Sequence, residues 1–260
     1  MRIATRLSLS SLVLVLASSW ARPAPAQSPV QNPVDGQPAV PPDAANPVNQ
    51  DPTDRLIEEK CPGLIERQRR RDSRRLMAAV AEPTRPALRR DLLAMMKRDR
   101  ELRNAWIVAG NSTDNPQFAA VAAIDAANLT RLKHIIIQDG FPTRSMVGDD
   151  GVNAAWLLVQ HADSDPDFQA RVLKILAARV RRHEFDRGEF AMLTDRVLVH
   201  AGKPQRYGTQ FGDDGSGLKP GKMEDPAHVD ERRASVGLGP IADYACMIQA
   251  VYGKSSGAGT

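Results

Sequence analysis

Apolar side chains recur at helical spacing through most of the chain. Residues 151–163, GVNAAWLLVQHAD, place them on every face of a helix, and a helix of that kind has to be buried. Its polar interruptions before Asp163 are Asn153, Gln160 and His161. This stretch is therefore expected at the centre of the fold, with any chemistry gathered at its polar end.

Upstream, helical patterning begins near Asp54, breaks at Cys61-Pro62-Gly63 and resumes through Leu64, Ile65, Leu76, Met77 and Val80. Pro83 and Pro86 end it, since proline cannot donate to the helix ladder. A second helix over residues 87–108 carries Leu88, Leu92, Met95 or Met96, Leu102 and Trp106 on its inner face. Asn115-Pro116 is an N-cap followed by a proline at the first helical position. The stripe after it, Phe118, Ala122, Asp125, Leu129, Leu132 and Ile136, is spaced 4, 3, 4, 3, 4. Asp125 thus interrupts an apolar stripe, with Asn128 one turn away. Gly140 closes that helix, and residues 141–150 read as a loop into the central one. Asp163 to Pro166 opens the next helix, through Phe168, Val172, Ile175 and Leu176.

Over residues 187–201 apolar side chains occupy two faces, Phe190, Leu193 and Val197 on one and Met192 and Val199 on another. Asp195 and Arg196 are left between apolar surfaces and need partners. Beyond Gly202, the alternation of Gln205, Tyr207, Thr209 and Phe211 is that of a short strand. Residues 218–223 return as its hairpin partner, Asp225-Pro226 opens a short helix to residue 235, and a last helix covers 240–252. The fold class is mainly α: a compact multi-helix domain over residues 53–253 with a buried central helix and a small β-hairpin, followed by a flexible tail, 254–260.

Residues 1–26 change the picture. Arg2 and Arg6, a short apolar run over residues 7–17 and Ala24-Pro25-Ala26 have the layout of a secretory signal peptide. The run is too short to span a bilayer, and no cysteine follows closely enough to take a lipid, so a secreted or periplasmic protein with no membrane anchor is expected. Residues 27–52, with seven prolines, read as an extended linker. Removing the signal takes away three arginines and leaves 32 basic against 31 acidic residues, so the formal charge of +4 makes no electrostatic case for a nucleic-acid partner. The arginines between 67 and 103 read as a solvated helix face. Cys61 and Cys246 are the only cysteines. In an oxidising compartment they can pair in one way, tying the first helix to the last; two separate buried thiols are the alternative.

There is no GxSxG elbow, HExxH, CxxC or phosphate-binding glycine loop. The five histidines (134, 161, 183, 200, 228) offer no metal spacing better than His161-x-Asp163, so neither metal nor cofactor is expected. Two function classes remain. In the first, a pocket takes an unidentified small molecule or cell-envelope component, and hydrolysis is one chemistry open to it. His161 is then the general acid or base, Asp163 or Asp195 its orienting carboxylate, and Arg196, Gln205, Tyr207 and Gln210, with Asp125, Asn128 and Gln160, hold the ligand. In the second, the same groups form a closed network that fixes helix register in a structural or protein-interaction module. On either reading Asp125 or Asp195 should pair with Arg196 or His161.

The segments GFPTRSMVG, AWLLVQHAD, DPDFQ, LTDRVLVHAGKPQRYGTQF and VDERRASVGL, in this order, resemble a bacterial family known only as a domain of unknown function. The resemblance covers about residues 88–252. It implies that positions 160–163, Asp195-Arg196 and 205–210 belong to the family's motif and that Asp125 and Asn128 fit its preceding helix. It brings no activity with it, and the signal peptide, the linker and residues 67–75 lie outside it.

Overall fold

The computed structural model describes residues 52–64, 82–213 and 217–253. The expected signal peptide, the linker up to residue 51, the arginine-rich residues 67–75 and the tail from 254 lie outside the described residues. In chain order the helices are α1 (Pro52–Lys60), α2 (Pro86–Val108), α3 (Pro116–Asp139), α4 (Arg144–Gln160), α5 (Pro166–Arg181) and α6 (Arg187–His200). Then come β1 (Phe211–Asp213), β2 (Leu218–Pro220), a 3-10 turn (Pro226–His228), α7 (Val229–Ser235) and α8 (Ile241–Tyr252).

Local chemistry sets several helix starts. The Asn115 side chain accepts from Gln117 N ahead of Pro116, Asp165 from Phe168 N, and Asp186 from Glu189 N. Each satisfies a donor that the first helical turn leaves unpaired.

The central helix is α4, whose residues Ala154 to Gln160 are all buried. It packs most extensively on α2 and also touches α3, α5 and α6. The Trp156 indole, inside the core, donates from Nε1 to the Glu189 carbonyl at 3.0 Å. Helix starts sooner than the sequence suggested: much of the stretch read as a loop, 141–150, is already α4. Thr143 caps that early turn, and Gly148, at φ 74° and ψ 174°, breaks the helix in a region open to glycine. Val147, just before the break, is fully buried, so burial of this turn outweighs its loop-like composition.

Helix α1 lies against α8, and Cys61 and Cys246 form a disulfide there with Cα atoms 6.1 Å apart. The first described helix is thus tied to the last, by the one pairing open to the two cysteines.

The hairpin is present but displaced. β1 and β2 pair antiparallel with Gly212 opposite Lys219, whereas the alternating residues 205–210 form no strand beyond an isolated bridge from Gln205 to Met223. The backbone N–H groups of Arg206, Tyr207 and Thr209 are drawn to the Asp195 side chain, while Gln205 N donates to the Lys222 carbonyl.

Candidate functional site

The polar residues nominated from the sequence sort into three networks. The first lies where α2, α3 and the C-terminus of α4 meet. Asp99 on α2 is 1% exposed, and its Oδ1 lies 3.0 Å from Nδ1 of His161, the C-cap of α4. Arg103, one turn along α2, reaches all three partners: its Nε is 3.3 Å from both Asp99 oxygens and 3.0 Å from His161 Nδ1, and its Nη2 is 2.5 Å from Asp125 Oδ1 on α3. With a proton on Nδ1 the imidazole donates to Asp99; with the proton on Nε2, Nδ1 accepts from Arg103. His161 Nε2 is buried without a hydrogen-bond partner, as is Asn128 Nδ2. Burial pushes the Asp99 carboxyl up, but His161 and Arg103 outweigh it and hold it at about 2. At Asp125 burial prevails over Arg103 and the carboxyl stays above its ordinary range.

The second network ties α4 to α6. Arg196, 1% exposed, donates from Nε to Gln160 Oε1 at 2.9 Å and from Nη1 to Asp163 Oδ1. Gln169 Nε2 donates to the same Asp163 oxygen and to the Val159 and Gln160 carbonyls, while His200 Nε2 stands 3.8 Å from it. The Asp163 side chain is 42% exposed, and Arg196, against the penalty of burial, keeps its carboxyl below the usual range. Gln160 Nε2, Gln169 Oε1 and His200 Nδ1 are buried without hydrogen-bond partners.

The third network is a carboxylate held by main chain. Asp195 accepts from the backbone N–H groups of Arg206, Tyr207 and Thr209 and from the Thr209 hydroxyl, at 2.7 to 3.1 Å. Burial nonetheless pushes its carboxyl up. Beside it the Gln205 side-chain amide spans the turn, donating to the Gln210 carbonyl and accepting from Gln210 N. Arg233 donates to the Tyr207 and Gly239 carbonyls.

Several pairings therefore differ from expectation. The carboxylate beside His161 is Asp99, not Asp163 or Asp195. Asp125 pairs with Arg103 rather than with Arg196 or His161. Asp195 and Arg196, consecutive on α6, serve separate networks because neighbouring helix positions point about 100° apart. Arg103 belongs to the first network and not to a solvated face. Gln205 and Tyr207 act on their own turn, Tyr207 through its backbone, whereas Gln210 Nε2 donates to the Thr209 hydroxyl and to the Met192 carbonyl of α6.

The sequence reading missed Asp99, Arg103, Gln169, Thr209 and Arg233. A signal for Asp99 was present: Leu88, Leu92, Met95, Asp99, Leu102 and Trp106 follow the same stripe spacing that drew attention to Asp125. A groove of about 550 Å³ between the start of α2 and the end of α3 is lined by none of the nominated residues; its ion pairs are Arg85 with Asp139 and Arg131 with Asp91.

Fold and networks together define a disulfide-tied helical domain with a small hairpin and charged groups shared between its helices. Residues 86–256 match a family of unknown function, DUF6624, and the chain belongs to that family. No curated protein and no solved structure matches it. No helix among the described residues is long and apolar enough to cross a membrane.

Proposed function

We propose that the protein is an exported domain that binds a small polar molecule or a cell-envelope component at the Asp99–Arg103–Asp125–His161 cluster. One observation carries this reading. Four chemically capable groups from three elements meet within hydrogen-bond reach, and the Asp125 and Arg103 side chains, 22% and 14% exposed, keep a narrow contact with solvent. Asp195, Arg196, Gln205 and Gln210 are closed off and serve as the frame that holds α4, α6 and the following turn in register. In a hydrolytic reaction His161 would move the proton, Asp99 would orient its ring, and Arg103 would meet an anionic group on the ligand. The N-terminal signal pattern and the disulfide support export; mass spectrometry of secreted protein starting near residue 27 is the expected result, and an intact Met1 speaks against it.

The second reading, an interaction module whose polar groups only fix register, draws on the burial of Arg196 and Asp195. Thermal-shift screening of sugars, amino acids, peptides and wall fragments separates the two. Stabilisation of the parent chain by a compound that has no effect on Arg103→Gln or His161→Gln supports the site. Loss of stability in both variants with no compound binding the parent supports the module.

A further inference from the structure

We propose that Asp99, Asp125 and His161 form a site for a divalent transition metal, Zn2+ or Mn2+, and that Arg103 is the internal cation standing at this point in the metal-free chain. The proposal rests on the reading of this cluster as the functional site and names its first ligand.

The geometry is that of converging Lewis bases. One ligand atom from each of the three residues lies within 4.8 Å of the other two, and Asp99 Oδ1 and His161 Nδ1 are already 3.0 Å apart. Ligands bound at about 2.0–2.2 Å to one ion stand about 3 to 3.5 Å from each other, so closure needs only a short inward movement of the third. They come from α2, α3 and the end of α4, elements locked together by the main packing contacts of the fold, so the set is held by tertiary structure. Arg103 directs Nε–H toward His161 Nδ1 and Nη2–H toward Asp125 Oδ1. Its guanidinium thus occupies the lone pairs that an ion would use. The arginine side chain is 14% exposed, and its long stem is what would carry the head group out through that narrow opening when a metal enters.

Two neighbouring N–H donors suit an oxygen of the bound water or molecule rather than the ion itself. His161 and Asn128 are both more than nine-tenths buried, and His161 Nε2 and Asn128 Nδ2 lack partners; Asn128 follows Asp125 by one turn of α3. Two carboxylates with one imidazole suit Zn2+ or Mn2+ better than the oxygen-preferring Mg2+ and Ca2+. Three protein ligands leave a coordination position for water or for an oxygen of the bound molecule.

Isothermal titration of the chelator-stripped mature chain with Zn2+, Mn2+ and Mg2+ tests this. One equivalent of Zn2+ or Mn2+ is expected to bind, with Mg2+ weaker. Arg103→Met should bind at least roughly 10-fold more tightly, because a competing cation is gone, whereas a plain salt-bridge network predicts no gain. His161→Gln and Asp125→Asn should lose at least that factor; Asp125 is at the open edge, so this variant remains usable if substitution at buried His161 unfolds the chain. Failure of both the parent and Arg103→Met to bind overturns the proposal, as does binding that both ligand variants retain. If metal fails to bind while a small molecule still stabilises the parent but not Arg103→Gln, the metal inference falls and the proposed site stands.

Discussion

Asp99 Oδ1 lies 3.0 Å from His161 Nδ1 across 62 residues of chain. The contact joins the inner stripe of α2 to the C-terminus of the buried α4, and Arg103 extends it to Asp125 on α3. Charged groups in such a place are costly alone and tolerable together, so these helices share an electrostatic as well as an apolar interface. The same arrangement fixes the His161 ring through Asp99 on α2, where the sequence suggested Asp163 or Asp195.

Acid titration should expose this contact. Asp99 titrates at about 2 in the fold against 3.8 ordinarily. A depressed carboxylate contributes stability above its unfolded value, and that contribution is lost as pH falls through the folded one. The window is therefore about pH 4 down to 2, and the contribution about 2 kcal/mol. Urea melts of metal-free protein should show Asp99→Asn costing more at pH 6 than at pH 2.5. A pH-independent cost would mean that shape, not charge, is what Asp99 supplies.

The turn after α6 should be intolerant of two small changes. Asp195→Ala leaves three backbone N–H groups without their acceptor, each worth about 1–3 kcal/mol when buried, for a total of about 4 kcal/mol or more. Gly208 has φ +63°, and a Cβ there would lie 2.6 Å from Ile241 Cδ1 and 2.8 Å from Met223 Sδ. Gly208→Ala should therefore cost about 2 kcal/mol through strain and crowding together. Equilibrium denaturation of both variants checks the order, with Asp195→Ala the worse.

Much of this architecture was legible because apolar spacing and capping residues act locally. The stripe of α3, the Asn115-Pro116 start and the all-round apolar surface of α4 each carry their own instruction. Network membership was not legible, because it depends on which helix faces which. Asp125 could be seen to need a partner, but nothing near it in the chain points to Arg103, which looked like one solvated arginine among many. Residues 205–210 misled for a related reason: their alternation is real, yet the acceptor for the N–H groups of Arg206, Tyr207 and Thr209 is a carboxylate 11 to 14 residues earlier and not a strand. The early start of α4 was hidden by a glycine that breaks the helix without ending it.

Reduction of the disulfide should destabilise the domain by up to about 5 kcal/mol, since Cys61 and Cys246 close a loop across a sequence separation of 185 and the unfolded chain gains that freedom back. Denaturant melts with and without a phosphine reductant measure the loss. Labelling of the denatured, unreduced protein should find no free thiol; two would show the bridge absent in solution.

Arg196 offers the sharpest separation of packing from charge. It is nearly sealed from solvent and donates to Gln160 Oε1 and Asp163 Oδ1, so loss of its side chain takes a donor from each. Asp163, however, is 42% exposed, and water can replace the lost donor there. The cost of Arg196→Ala should then arise from the cavity and from Gln160 Oε1 left unpaired in the core, about 3 kcal/mol together. Arg196→Met restores most of the volume and should cost about 1–2 kcal/mol, the cost of stranding Gln160 Oε1 being part of it. Adding Gln160→Met to it removes the orphaned acceptor, so the double variant should be more stable than the two single costs predict, by about 1 kcal/mol. Urea melts of the four proteins give the cycle directly. If Arg196→Met proves as damaging as Arg196→Ala, the charge on Asp163 dominates and water does not reach it.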